Sequence, residues 1–270
     1  MIGQAFDRLR RSASLVAYPV VLDLLALMLG LAFGGFHGQS RFTLKLSLGV
    51  GLPSVSGLLD QNVMANGVNI SLGGPGVPGL LLLLTVAFLL LTAYVQGGFI
   101  GLLHQAAKDR PVSFGLFQQY AGAFWLRFLG ILLLVGLFTL AAGGLSLILG
   151  PAGILLFLMV YLTLRVLYVY WEFTVVVENC GIGEAWGRAR EFFRNRTADT
   201  TAVILAILAS NFAFALVLNG LWSPPVLVLG IFAYGYVATG LQLALMLTLH
   251  DIRGPEAMED AVAAESGGLT

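Results

Sequence analysis

Three ionisable side chains interrupt otherwise apolar stretches of this sequence: Asp23, Arg165 and Glu172. In hydrocarbon each charge would cost ~2.5–3.5 kcal/mol, so each side chain must face protein or water and find a partner. Arg165 and Glu172 are seven residues apart, which places them on one face of a helix but about 10 Å apart along its axis. Such groups form either a buried ion pair or a polar cavity for an ion or an anionic headgroup.

The geometry of a regular helix leaves both interpretations open. Asp23 should lie at a depth between those of Arg165 and Glu172, so any contact among the three requires side chains stretched along the helices. Helical side chains lean toward the N-terminus, so Glu172 leans toward Arg165 while Arg165 leans away. We therefore treat the three residues as a candidate intramembrane polar site, either structural or ligand-binding.

Patterns typical of enzymes do not occur in the sequence. Cys180 is the only cysteine, and the three histidines, His37, His104 and His250, fall at different levels outside or at the edges of the apolar stretches. There is no glycine-rich phosphate loop, nucleophile elbow or HExxH motif. We predict no catalytic residues, no cofactor and no metal site, and hence a non-enzymatic protein.

Composition points to the membrane. Hydrophobic residues make up 58% of the 270 residues and charged residues only 10%, with a mean hydropathy of +0.91. Soluble domains carry about 25% charged residues, so this chain has too little charge to coat a water-facing surface. Fourteen basic and fourteen acidic side chains cancel, which gives no reason to expect a nucleic-acid partner.

Six apolar stretches are long enough to cross ~30 Å of hydrocarbon. They cover about residues 15–36, 80–103, 125–149, 153–177, 201–221 and 226–249. We predict an all-α polytopic membrane protein with six transmembrane helices in three hairpins, each preceded by a cytoplasmic amphipathic elbow helix. Gln96, Asn211 and Gln242 add polar atoms to three spans, where interhelical hydrogen bonds are expected.

The elbow segments share a pattern. Residues 2–10 and 182–190 both read Ile-Gly-polar-Ala-aromatic-x-Arg-apolar-Arg, and a weaker copy begins at Phe114, which indicates an internal repeat of elbow, span, turn and span. Convergence of interfacial helices on one composition is the alternative. The predicted interfacial anchors are Phe6, Arg8, Arg10, Phe117, Trp125, Trp186, Arg188 and Arg190.

The stretch between the first two spans, residues 38–78, has a different character. Apolar and polar residues alternate with a period of two over 42–48 and 68–72, which predicts an extracytoplasmic β-hairpin with a short helix around Ser56 to Ala65 between its strands. A glycine-rich loop with accidental alternation is the alternative. A lone two-stranded ribbon is marginally stable, so the 42–72 ribbon is predicted to rest on the membrane, the helix ends, a second copy or another membrane protein.

The basic residues determine the predicted orientation. In a six-span arrangement ten of them fall on one side and only Arg41 and Lys45 on the other. The positive-inside rule therefore places both termini in the cytoplasm of a multi-pass cell-membrane protein. Residues 1–249 form one transmembrane domain, and the acidic tail at 250–270 is predicted to be mobile and solvated.

A resemblance accompanies these patterns. It rests on Gln96-Gly97-Gly98-Phe99, on Pro111-Val112-Ser113-Phe114-Gly115, and on Arg165 with Val176-Val177-Glu178 and Gly183-Glu184-Ala185-Trp186. Over roughly Leu80 to Leu249 the chain resembles bacterial six-span integral membrane proteins of unknown function related to the membrane domain preceding some glycerophosphodiester phosphodiesterases. The resemblance implies an architecture and no biochemical role.

Two functions are compatible with the sequence. The first is a non-enzymatic scaffold or partner subunit of an envelope or transport assembly. The alternative is a small transporter or lipid-handling protein that uses a polar cavity around Asp23, Arg165 and Glu172.

Overall fold

The computed structural model describes residues 1–43, 48–61, 63, 64 and 78–267. Over these residues it contains nine α-helices, two short 3₁₀ helices at Ala13–Val16 and Val55–Leu58, and no strand. The α-helices are α1 (Ile2–Arg11), α2 (Ala17–Gly34), α3 (Pro78–Ala107), α4 (Phe114–Leu149), α5 (Pro151–Leu167), α6 (Trp171–Val177), α7 (Ile182–Asn195), α8 (Thr197–Gly220) and α9 (Pro224–Gly267).

Six stretches are long and apolar enough to span a membrane, which confirms the predicted number. They are Ala13–Gly34, Leu83–Ala107, Phe114–Leu145, Leu155–Val177, Thr197–Gly220 and Pro224–Ile252. Each overlaps one of the apolar stretches identified in the sequence. The chain is thus an all-α polytopic membrane protein.

Helix boundaries differ from the predictions at three places. The segment expected to form a third elbow is continuous with the third span in α4, whose first turn is capped by the Ser113 hydroxyl accepting from the Leu116 amide at 3.3 Å. The fourth span is divided between α5 and α6 by a turn at residues 168–170. α9 continues to Gly267, well beyond its predicted end at Leu249, so the backbone of most of the acidic tail is helical.

The spans do not pack simply as consecutive pairs. α3 lies mainly along α4, whereas α2 packs more on α9 than on α3. Glycines allow the close approach of α3 and α4, because a Cβ at Gly98 would overlap the Phe117 ring and one at Gly101 would overlap Tyr120. Small residues at such crossings let helix backbones approach closely in membranes.

The two short charged helices are each attached to the bundle by apolar side chains. α1 buries Ala5 and Leu9 completely, and α7 buries Ala185 and Ala189 completely. Their basic residues are mostly exposed. Both helices are therefore docked on the bundle along one face.

The prediction of a β-ribbon needs revision in those of its residues that the structure describes. Residues 44–47 and 65–77, which include most of both predicted strands, lie outside the described residues. The helix expected around Ser56 to Ala65 is only a 3₁₀ turn at Val55–Leu58. The apolar side chains of Leu48, Val50 and Val55 are buried in the bundle rather than presented outside it. The reason is that side chains of four spans supply polar partners for this segment's backbone.

Candidate functional site

Residues 48–61, termed here the re-entrant segment, enter and leave the helix bundle at the same end. Asn219, fully buried near the end of α8, binds backbone both before the segment, at Arg41, and in its last part, at Leu58 and Asp60. Its backbone carbonyl accepts from the Arg41 amide at 2.9 Å, its side-chain Nδ2 donates to the Leu58 carbonyl at 2.9 Å, and its Oδ1 accepts from the Asp60 amide at 2.9 Å. One asparagine therefore closes the loop.

The innermost part of the segment reaches the middle of the bundle. Asp23, Gln96 and Gln242, which line it, lie ten or eleven residues from Ala13, Ala107 and Ile252, the span ends at the other side of the bundle. At ~1.5 Å per residue this distance is about 15 Å, or half of the ~30 Å hydrocarbon thickness.

Two side chains hold alternate peptide groups of residues 48–51. Arg165 donates from Nε to the Leu48 carbonyl and from Nη2 to the Val50 carbonyl, both at 3.2 Å. Gln242 donates from Nε2 to the Gly49 carbonyl at 2.9 Å and accepts from the Gly51 amide at 3.4 Å. The extended backbone thus lies between α5 on one side and α9 on the other.

Arg165 and Glu172 form an ion pair, with Nη1 and Oε1 2.8 Å apart. The turn between α5 and α6 makes this contact possible, because it removes the axial separation that a continuous helix would impose. It also places Arg165 in the last turn of α5 and Glu172 in the first turn of α6. Each charge therefore lies at the helix end whose dipole stabilises it.

Aromatic side chains fix the position of this turn. Tyr168 stacks on Trp186 with ring centroids 3.6 Å apart, and the Trp171 indole donates to the Ile182 carbonyl at 2.9 Å. Tyr170 is fully buried, and its hydroxyl lies 2.7 Å from that of Thr200. The amides of Val169 and Trp171 bond to carbonyls three residues back, at 3.3 and 3.0 Å, and the contacts to α7 and α8 hold the turn in place.

The second oxygen of Glu172 has a partner on another span. Gln96 Nε2 donates to Glu172 Oε2 at 2.9 Å, and the Glu172 side chain is only 4% exposed. Gly51 packs against this pair with a positive φ of 89°, and a Cβ there would overlap the carboxylate. Glycine meets both requirements at this position, because it lacks a Cβ and tolerates positive φ.

Asp23 binds the returning part of the segment. Its carboxylate accepts from the Ser54 hydroxyl at 2.6 Å and from the Val55 amide at 2.7 Å. The structure therefore brings Arg165 and Glu172 into direct contact, while these two hydrogen bonds tie Asp23 to the same segment a few residues further on. All three predicted residues belong to one buried polar cluster.

This cluster provides what irregular backbone requires at membrane depth. Unpaired peptide groups in hydrocarbon cost several kcal/mol each, so non-helical backbone is found there only when it is buried in protein or lines a water-filled cavity. Here side chains from α2, α5, α8 and α9 supply hydrogen bonds to the segment, and Gln96 on α3 holds the carboxylate beside it. The cluster is built to hold this segment.

Sequence reasoning missed part of the cluster. It expected Gln96 and Gln242 to join helices, which is what Gln96 does through Glu172, whereas Gln242 binds backbone of the segment. Asn219 was not singled out. A buried amide near the end of an apolar span is a signal that could have indicated it, since Asn219 is a second amide in α8 besides Asn211.

The predicted interfacial anchors occupy several environments. Phe117 is buried, stacked on Tyr18 with centroids 4.3 Å apart, so it belongs to the core. Phe6, Trp125 and Trp186 are half-buried. Arg8 donates to the Ala107 carbonyl, Arg10 and Arg190 are exposed, and Arg188 pairs with Glu178 and Glu184 at 2.7 Å each.

Within the described part of the chain, no group of three or more His, Cys, Asp or Glu side chains could hold a metal ion. Comparison with protein-family models, with curated protein sequences and with solved structures finds no match for this chain.

Proposed function

We propose that this protein is a non-enzymatic integral membrane protein that serves as a scaffold or partner subunit of an envelope or transport assembly. The observation that carries the proposal is the hairpin formed by α4 and α5. This hairpin extends apolar surface away from the bundle, where the transmembrane helices of a partner can pack.

The hairpin differs from the other spans in how little of it the chain itself covers. In the most apolar 18-residue stretch of the third and fourth spans only 12% and 22% of residues are buried, against 56% and 61% in the second and sixth. Leu140 on α4 and Met159 on α5 are 69% and 68% exposed. Within the described part of the 42–72 region Phe42 is exposed but residues 48–59 pack largely inward, so the hairpin replaces the ribbon as the proposed partner surface.

The polar cluster supports the same function. Arg165, Gln242 and Asp23 each bond to backbone of the re-entrant segment, so the side chains that could have lined a transport cavity hold part of the chain instead. A buried ion pair with these additional hydrogen bonds acts as a fixed structural element. A scaffold benefits from such a rigid centre beside an exposed hairpin.

The orientation and the surface helices are also part of the proposal. We infer that α1, the start of α4 and α7 lie at the cytoplasmic surface, with both termini inside and residues 35–43 outside. Contacts between Arg11 and Asp109 and between Arg196 and Asp251 gather the basic residues at one end of the bundle. Arginines at that end face the anionic leaflet.

We also propose an internal repeat and a relationship to a known group of membrane proteins. The burial of Ala5 and Leu9 in α1 and of the matching Ala185 and Ala189 in α7 supports an internal repeat of elbow and span. The likeness to bacterial six-span proteins related to a membrane domain preceding some glycerophosphodiester phosphodiesterases rests on the motifs quoted above. Neither proposal assigns a reaction.

Site-specific photo-cross-linking tests the scaffold function. A photoreactive phenylalanine analogue is introduced at Leu140 or Met159, and irradiated in the native membrane. Leu205 on α8, which is 59% exposed, provides the matched control on the bundle. We expect both hairpin positions to cross-link to the same membrane-spanning protein, and the control position to give lipid adducts only.

Co-purification gives the second readout. The cross-linked protein should accompany the unmodified chain through purification in mild detergent at a fixed ratio. If Leu140 and Met159 yield only lipid adducts, as Leu205 does, the hairpin faces lipid and the scaffold function is wrong.

A further inference from the structure

A groove of about 380 Å³ lies on the bundle surface where α4, α5 and α7 meet. It is lined by Leu134 and Phe138 of α4, Tyr161 and Arg165 of α5, and Ile182 and Trp186 of α7. Its volume falls within the range of about 300–1,000 Å³ typical of ligand sites. The walls are apolar and aromatic except for the guanidinium.

The groove opens on the surface of the α4–α5 hairpin, where Leu134 in its lining and the neighbouring Leu133 are 49% and 50% exposed. Because α4 and α5 belong to two of the membrane-spanning stretches, we expect a ligand to enter this opening from the bilayer. α7, which also carries exposed arginines, forms one wall, so the groove joins a charged surface helix to the apolar hairpin.

Among the described residues that line the groove, the one charged side chain is the cation Arg165. Arg165 lines the groove with a side chain that is 19% exposed, whereas its partner Glu172 is 4% exposed and is not part of the lining. Three of the five guanidinium N–H groups donate to Glu172, Leu48 and Val50. The other two N–H groups donate to no acceptor among the described residues, so they can donate to an acceptor on a ligand.

We propose that this groove binds one phospholipid with an anionic headgroup. An acyl chain lies along Leu134, Phe138 and Tyr161, and the negatively charged end lies toward Arg165 and Trp186. The apolar walls are complementary to the acyl chain, and the Arg165 cation is complementary to the anionic headgroup. The aromatic rings suit the region where the acyl chain meets the headgroup. The site is independent of the partner surface on the outer faces of the hairpin.

Two glycines of α7 provide a matched test. Gly183 lines the groove and Gly187, one turn further on, does not; a Cβ at either position meets no atom within 4 Å. Gly183→Leu therefore fills the groove without disturbing the backbone, and Gly187→Leu makes the same change in helix propensity elsewhere. Substituting Arg165 would be a poorer test, because it also releases the re-entrant segment.

The measurement is native mass spectrometry of the full chain released from nanodiscs of equal parts phosphatidylglycerol and phosphatidylcholine. We expect the native chain and Gly187→Leu to retain one phosphatidylglycerol with roughly tenfold preference, equivalent to ~1.4 kcal/mol. Gly183→Leu should abolish that preference. Leu134→Trp, which fills the groove from α4, should do the same if Gly183→Leu folds poorly.

Two results would overturn the site. Equal retention of the two phospholipids by the native chain means that the groove does not select for charge. Indistinguishable retention by the Gly183→Leu and Gly187→Leu variants means that the bound lipid is an unspecific annular lipid.

Discussion

At the scale of residues, a change of backbone direction determines what Arg165 and Glu172 can do. In a continuous helix they would be separated along the axis, whereas the turn at 168–170 brings their charged atoms to 2.8 Å. The same turn ends one helix at the cation and begins the next at the carboxylate. Breaking such a buried pair by removing one partner typically costs ~3–5 kcal/mol.

Gly51 offers a sharp test of how the segment is held. Gly51→Ala introduces a Cβ that overlaps the Glu172 carboxylate at a residue with φ of 89°. We expect it to lower the free energy of unfolding by at least about 1–3 kcal/mol, the usual range for backbone strain. The measurement is denaturation in mixed detergent micelles, followed by circular dichroism.

Gly49→Ala is the control for that substitution. Gly49 lies two residues away in the same segment, but a Cβ there meets no atom within 4 Å. Its unfolding free energy should change by no more than about 1 kcal/mol, and in the stabilising direction. Equal losses in the two variants would mean that Gly51 is not packed against the carboxylate.

Sequence reasoning identified the three charges and considered an Arg165–Glu172 ion pair, but it did not identify the backbone partners of these charges. Asp23, Arg165 and Glu172 stood out because charges are costly in apolar stretches. Their partners at Leu48, Val50 and Val55 are peptide groups, which every residue carries, so no residue type marks them. The alternation of apolar residues near position 48 predicted a strand outside the bundle, while the polar span residues draw this backbone inside.

At the scale of elements, hydropathy predicted the spans but not their packing. The fourth span reads as one apolar stretch, so its division into α5 and α6 leaves no trace in composition. The close pairing of α3 with α4 is easier to predict from the sequence than this division, because Gly97 and Gly101 are spaced to form one small-residue face. Loose patterns of this kind indicate that helices approach closely without indicating which ones.

The α3–α4 crossing carries a prediction of its own. Gly101→Ala places a Cβ against the Tyr120 side chain, whose hydroxyl accepts from Gln105 Nε2 at 2.5 Å. Overpacking of this kind costs ~1–3 kcal/mol. A lower midpoint in thermal unfolding, monitored in detergent, is the expected result.

A second glycine tests whether that effect is local. Gly122 lies on α4, and a Cβ there meets no atom within 4 Å. Gly122→Ala should therefore leave the midpoint unchanged or raise it, since alanine favours the helix. A comparable drop in both variants would show that the crossing is not the cause.

At the scale of the whole molecule, the distribution of basic residues is the basis of the proposed orientation. Phe42, which is 81% exposed, lies at the end of the bundle opposite to α1. In a chain carrying Cys180→Ala, an impermeant maleimide added to intact cells should label Phe42→Cys but not Gly3→Cys. Labelling of Gly3→Cys only after permeabilisation completes the expected pattern, and the reverse pattern would contradict the proposed orientation.

The native cysteine is replaced in that experiment, and its own reactivity is a separate prediction for the chain that keeps it. Cys180 is 8% exposed, and burial raises the pKa of its thiol above the ordinary value. Its thiolate fraction at neutral pH is therefore below that of a free cysteine, so its own labelling should be slow and should increase as the pH rises.

The re-entrant segment has a consequence for how the protein is made. Its hydrogen bonds to Arg165, Asn219 and Gln242 join residues 115 to 193 positions apart, and Gln242 is supplied by the last span to be synthesised. At ~5–20 residues per second, roughly 10–40 s separate synthesis of the segment from synthesis of that glutamine. During this interval the segment has been synthesised, but its partners on the later spans have not all been made. Capture of the segment is thus a late event of biogenesis, and it completes the folded bundle only when the sixth span arrives.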